Sequence, residues 1–405
     1  MTGARNKYDY LLILLLVLMA GGTWGAFFQP VRVMMLLLLP VMLVEQIRNN
    51  TIVGLKKYNL ERFFFLVWFV YALISLHQAV IMEKSVKYLI HLTIYFFGFI
   101  EFLWLSSKAE NPKRSILIGW ILMFVVTFPV AMYELIFDQH LSLSVQESDM
   151  SMRFGRNLMD DRLFASVTFG NLNSYNTVVC LAMAMILIFS LSDNRKDRVA
   201  AYVLLAMDTF VIIKNSSRGA FICLIFIIIV YLLTLLIHKR GTLFISTILI
   251  AILAVAAIKL PDMYSMIQQR FQYEGFNDEG RIELIINGIK ELWNSHLLGI
   301  GAGNFDPVME QKYGMWISAP HNLWLEVLTQ FGIIIFIGFM SMFGRIIHMA
   351  HNGDNDCKMA CIIGLLALIP ISIIDSTYIL KCTTWFYIAS LYVLCDTDYN
   401  YISEQ

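Results

Sequence analysis

Charge is what this 405-residue chain has least of. Only 15% of its residues are Asp, Glu, Lys or Arg, against about 25% in soluble domains. Thirty basic residues offset thirty acidic ones. The missing basic excess speaks against a nucleic-acid binder. With 58% hydrophobic residues, intrinsic disorder is excluded, because such a chain has ample apolar surface to bury. A soluble globule this apolar would lack the polar surface to cover itself and would associate at zero net charge. Six cysteines make no disulfide framework, since most lie in apolar runs, where Cys packs as a small hydrophobe. Cys357 and Cys361 have CxxxC spacing, but no second pair completes a zinc site, and no metal site is read. Repeats, low-complexity tracts and separate soluble domains are also missing. These absences leave an integral membrane protein.

What is there instead is a series of apolar runs. A membrane span needs about 20 apolar residues, and twelve runs approach that length: 8–27, 30–44, 63–82, 86–106, 115–137, 168–191, 199–213, 219–237, 242–260, 321–349, 359–375 and 379–395. The first two are expected to form a tight hairpin around Gln29 and Pro30. No small-residue cleavage pattern follows the first, so a retained span is expected. The predicted fold is all-α: one polytopic membrane domain over residues 1–405, with about twelve transmembrane helices. Lys and Arg concentrate in alternate loops, which places both termini in the cytoplasm. Sixteen of the thirty basic residues then lie inside. Two longer outer segments remain, 138–167 and 261–320; the second contains an amphipathic helix predicted from Arg281 to Trp293 and is expected to cover an active site.

The residues that carry chemistry fall at the outer face. Arg162 through Asn176 reads RLFASVTFGNLNSYN. Its Asn171, Asn173 and Asn176 either bond across helices or form a polar rim for a hydroxyl-rich substrate. Asn215-Ser216-Ser217-Arg218-Gly219 sets Arg218 at a helix start, where free N–H groups and the helix dipole favour an anion. There Arg218 either snorkels to lipid headgroups or makes a phosphate site. Gly280-Arg281 is followed by LGIGAGNF, ending in Asn304 and Phe305. That glycine run lacks the preceding strand a nucleotide-binding loop requires. Pro320-His321-Asn322 opens a span; His321 is a base, an orienting partner or a pH-sensitive surface group. Glu101, Glu134, Asp208, Glu326 and Asp375 lie within or at the ends of apolar runs, where an ionisable group faces a polar interior or a partner.

Taken in order, NLNSYN, SSRGA, GRIELIINGIKELWNSHLLGIGAGNF and HNLWLEVLTQFGIIIF resemble the O-antigen ligase / O-antigen polymerase superfamily of bacterial membrane glycosyltransferases. His321 and Gly332 match the His-x10-Gly spacing of the ligases, and YELIFDQHLSLS looks like the polymerases. The resemblance implies transfer of an undecaprenyl-diphosphate-linked glycan to a sugar hydroxyl on the outer face of the plasma membrane, without metal or cofactor. The acceptor is a second lipid-linked repeat unit for a polymerase, the favoured subclass, or lipid A core for a ligase. A chain-length regulator is a further partner to expect. Arg218, Arg281 and His321 would be catalytic, and Arg162, Asn171, Asn173, Ser217, Asn304 and Asn322 would bind substrate. A lipid-linked oligosaccharide flippase is the alternative of another class. It would distribute charge through the membrane depth rather than at one face.

Overall fold

A computed structural model describes residues 5–49, 56–141, 163–215, 217–238, 278–315 and 318–397. The described residues are helical throughout, with no strand among them. In chain order the helices are α1 (Lys7–Val17), α2 (Pro30–Asn49), α3 (Asn59–Ile74), α4 (Met82–Lys108), α5 (Pro112–Phe137), α6 (Leu172–Phe189) and α7 (Arg195–Asn215). Then come α8 (Arg218–Ile237), α9 (Asp278–Asn294), α10 (Phe305–Tyr313), α11 (Leu323–His351), α12 (Asn355–Ile371) and α13 (Cys382–Leu394).

Six helical segments among the described residues are long and apolar enough to cross a membrane: 59–78, 82–108, 112–137, 172–189, 218–237 and 323–351. They make the chain a helical membrane protein. The expected twelve is not reached, and the reason is visible for five of the other six runs. The run 242–260 lies outside the described residues. The first run does not continue as one helix: α1 tightens into a 3-10 turn at Leu18–Gly21, and the chain turns at Gly22 and Gly25, both with positive φ. The seventh and the last two apolar runs form helices that are too charged or too short to cross a membrane, Cys382–Leu394 among the short ones.

Burial decides which helices are central. In α6 every residue except Asn173 is buried, as is every residue of α13. A helix apolar on all sides belongs inside a bundle. α6 is enclosed by α5, α7, α8 and α12, while α13 packs on α4, α5 and α12. Large rings fill the space where α3, α4, α11 and α13 meet. Trp68 lies 5.2 Å from Phe96, 5.3 Å from Phe331 and 5.9 Å from Trp385 by ring centroids. Mixed tilted and edge-to-face contacts of this kind add to simple burial. The six cysteines are buried thiols.

The two ends of the bundle differ. At one end basic side chains pair with acids: Arg345 with Glu61 at 2.9 Å, Arg114 with Asp197 at 2.9 Å, Lys57 with Asp396 at 2.5 Å. At the other end the N-termini of α6, α8 and α11 come together with the turn between α12 and α13.

The amphipathic helix expected at Arg281–Trp293 is α9, slightly longer at both ends. Leu284 packs with Phe305, Met309, Met315 and Leu325 in a small core shared with α10 and α11. Its other face exposes Ile282, Ile286, Ile289 and Trp293, the pattern of a helix lying in a membrane interface.

Candidate functional site

The site is organised by the turn at 372–381, which touches each chemical cluster named above. Leu323 N–H donates to the Ser372 carbonyl at 3.0 Å, and Thr377 N–H donates to the Pro320 carbonyl at 3.4 Å. These bonds fix the start of α11, and with it His321, against the turn. Arg281 Nη1 donates to the Ile373 carbonyl at 3.4 Å. Gly219, directly after Arg218, faces Ile374: a Cβ built there would lie 3.7 Å from its side chain. Ser174, in the first turn of α6, donates from Oγ to Asp375 Oδ1 at 3.2 Å. Arg218, Arg281, His321 and the Asn-rich start of α6 thus meet on one short segment, though they span about 150 positions in sequence.

Local structure explains each position. Ser217 is the cap of α8 and makes Arg218 its first helical residue. A guanidinium there stands beside backbone N–H groups that have no partner inside the helix. Asn322 caps α11, its Oδ1 accepting from Trp324 N at 2.9 Å and Leu325 N at 3.0 Å. Asn171 caps α6 by accepting from Ser174 N at 2.7 Å. Ser217 Oγ donates to Asn173 Oδ1 at 3.4 Å, which joins the starts of α6 and α8.

His321 is mostly buried, and its Nδ1 has no hydrogen-bond partner among the described residues. Burial and the nearby Arg281 guanidinium lower its pKa from 6.5 to about 4, only partly opposed by Asp375. The ring is therefore neutral near pH 7, with one nitrogen available for a proton.

Other expected site residues fall elsewhere. Arg162 lies outside the described residues. Asn304 is fully buried and its amide is occupied: Oδ1 accepts from Val80 N at 2.9 Å and Nδ2 donates to Gln78 O at 3.0 Å and Ile300 O at 2.6 Å. It ties the glycine-rich loop to the end of α3 and the start of α4. Asn176 serves interhelical bonding, its Oδ1 accepting from Asn215 Nδ2 at 2.8 Å. Glu134 accepts backbone N–H groups from Ser166 at 2.7 Å and Val167 at 2.8 Å, holding the segment that leads into α6. Glu101 and Asp208 are buried with no side-chain partner among the described residues.

The glycine run has a structural use. α11 breaks at Gly332, where φ is 72° and ψ −178°. A broken helix leaves backbone groups unpaired, which is costly away from water. The loop supplies them: Ile300 N donates to Thr329 O, Gly301 N to Gln330 O, and Leu297 O accepts from Ile333 N, all at 2.9 Å.

Sequence reasoning missed one pair. Lys381 Nζ binds Asp375 Oδ2 and also reaches Ser174 Oγ at 3.1 Å. Asp375 stood out as an acid without an assigned partner. Its neighbour is the lysine six positions on, at the start of α13. An acid and a base flanking a short polar gap between apolar runs was the available signal.

Comparison with known proteins gives two likenesses. The O-antigen ligase family model matches residues 200–340, a segment that includes Arg218, Arg281, His321 and Gly332. The teichuronic acid biosynthesis protein TuaE of Bacillus subtilis (strain 168) is 24% identical over 307 residues, covering 71% of this chain. The match spans 60% of that relative's length. Over residues 200–340 the chain is thus similar to the O-antigen ligase family, and over a longer stretch to this distant relative.

Proposed function

We propose that the protein transfers a glycan from undecaprenyl diphosphate to a sugar hydroxyl at the outer face of the bacterial plasma membrane. The observation that carries this reading is the meeting of Arg218, Arg281 and His321 on the 372–381 turn. Two guanidiniums beside a helix N-terminus suit a diphosphate, which accepts bidentate hydrogen bonds. The acceptor oxygen attacks the anomeric carbon. The bond from that carbon to the diphosphate oxygen breaks, and its electron pair stays on the diphosphate. Arg218 and Arg281 stabilise the charge that develops there, the largest kind of catalytic contribution in many enzymes. Neutral His321 takes the hydroxyl proton or orients the hydroxyl. Burial is the main cause of the low basicity of His321 and Arg281 the next, so a diphosphate bound at Arg281 would raise that basicity part of the way. Proton acceptance is thereby coupled to donor occupancy.

Asn171, Asn173, Ser217 and Asn322 form the polar rim for sugar hydroxyls, and Arg162 is grouped with them from the sequence. The segment 261–320 roofs the site through α9 and α10, with the isoleucine face of α9 resting in the outer leaflet. Concentration of Lys and Arg at the opposite end of the bundle supports an outward-facing site and cytoplasmic termini. Polymerase is favoured over ligase on the YELIFDQHLSLS run, and the Bacillus relative is named for teichuronic acid biosynthesis.

The test uses purified protein, an undecaprenyl-diphosphate repeat unit and a chelator. Release of undecaprenyl diphosphate with lengthening of the glycan is expected. No release overturns the transferase, a strict need for divalent metal overturns the metal-free scheme, and transfer only to lipid A core selects the ligase.

A further inference from the structure

A cleft of about 240 Å³ opens beside the arginine site. Pro320 and Thr377, joined by the hydrogen bond that anchors His321, form part of its wall. The first turns of α4 supply Lys84, Lys87 and His91, and Asp306 stands at the start of α10. Neither Arg218 nor Arg281 lines it. Lys84 and Lys87 are three positions apart and share one helix face. Lys87 pairs with Glu83 at 2.6 Å, but the two side chains are 67% and 76% exposed. Such a pair is weak and readily exchanged. Lys84 acts on Asp306 across the cleft. Behind this wall Arg32 is buried, bonded to the Tyr95 hydroxyl at 3.0 Å and to main-chain carbonyls of Ala26 and Phe27. No carboxylate among the described residues pairs with it. The Phe27 ring lies 5.9 Å from His91. Lys84 and Lys87 thus stand on the wall of the cleft with Arg32 behind them, facing Glu83, Asp306 and Glu310.

We propose that the cleft receives the terminal sugar of the acceptor, and that this sugar is anionic, bearing a carboxylate or a phosphate. The proposal rests on the transferase reading, in which the acceptor hydroxyl has to reach His321, and this recess adjoins that residue. Lys84 and Lys87 bind the charged substituent, with Lys87 leaving Glu83 to do so. Asp306 and Thr377 face the ring hydroxyls. The cleft has the scale of a single sugar residue, so it selects the end of a chain rather than its length.

Binding to the purified full-length protein in detergent decides the matter without turnover. The probes are two free oligosaccharides of equal length, one ending in a hexuronate and one in its carboxyl-reduced form. A third ends in a sugar phosphate. An anionic probe should bind about tenfold or more tightly than the neutral one, as expected for a charge-assisted contact. The tighter of the two anions identifies the charged group. The preference should vanish in Lys84→Gln/Lys87→Gln and grow in Glu83→Gln. Equal binding of neutral and anionic probes to the wild type overturns the proposal, and that comparison alone decides it where the double variant does not fold. Persistence of the preference in a folded double variant also overturns it. In the transfer assay the acceptor KM follows the same order while the donor KM stays unchanged. Failure of that assay with retained anion preference would reject the transferase reading but keep the anionic site.

Discussion

Gly299 and Gly332 meet backbone to backbone. A Cβ on Gly299 would lie 2.5 Å from the Gly332 nitrogen, and one on Gly332 would lie 2.4 Å from the Leu297 carbonyl oxygen. Both also hold positive φ, +89° and +72°. Each position is therefore closed to a side chain twice over, by space and by conformation. Gly332→Ala or Gly299→Ala is expected to cost about 1–3 kcal/mol or more, read as a lower melting temperature in detergent. An unchanged melt for both would remove the interlock. Gly314, also at positive φ but with open space around it, is the control: alanine there costs only backbone strain.

Loss of either arginine is expected to stop transfer while the protein still inserts. Removing one member of a charge-assisted contact costs about 2–5 kcal/mol, or roughly thirty- to several-thousand-fold in rate. Lys at either position should rescue only in part, because an ammonium is not a bidentate fork. Turnover of Arg218→Ala at the wild-type rate would exclude that residue. Arg281 also holds the Ile373 carbonyl, so its variants need a parallel melting curve.

His321 gives the pH dependence a definite sign. Its pKa is about 4 in the folded protein against 6.5 ordinarily, so the unfolded chain binds the proton more readily. Its contribution to stability is therefore fully present above about pH 6.5 and is lost as pH falls toward 4. For kcat/KM, which reports the free enzyme, an acid limb near pH 4 is expected. For kcat at saturating donor, the diphosphate offsets Arg281 and the limb should move up, toward 6.5. His321→Gln should remove the limb from both profiles. Identical limbs in the two profiles would refute the coupling of donor charge to His321.

Asp375 and Lys381 should behave as a coupled pair. Asp375→Asn leaves Lys381 without its counter-ion and is expected to cost about 1–3 kcal/mol, below the range for a fully buried pair because Lys381 is 25% exposed. Adding Lys381→Met should restore part of the stability. Strict additivity in a double-mutant cycle would mean that the two do not act together.

Much of this protein is readable along the chain. Hydropathy is a local property, so the membrane class and the position of α9 follow from composition and spacing alone. Asn322 as a helix start is equally local, since its side chain caps backbone N–H groups two and three residues away. Three decisions belong to tertiary structure. Apolar length alone could not say that the first run breaks at Gly22, because the constraint is Thr168, nearly 150 positions away, against which a Cβ on Gly22 would clash. Nor could it assign the LGIGAGNF glycines to a broken helix, because their partners are carbonyls of α11. Above all, the sequence determined which residues have the chemistry for a diphosphate, while folding decided that they meet. That meeting depends on the 372–381 turn, whose carbonyls and Asp375 collect groups from α6, α9 and α11, while Ile374 faces Gly219 of α8. Helix ends distant in sequence are brought together by the packing of whole helices, and no local pattern encodes that packing.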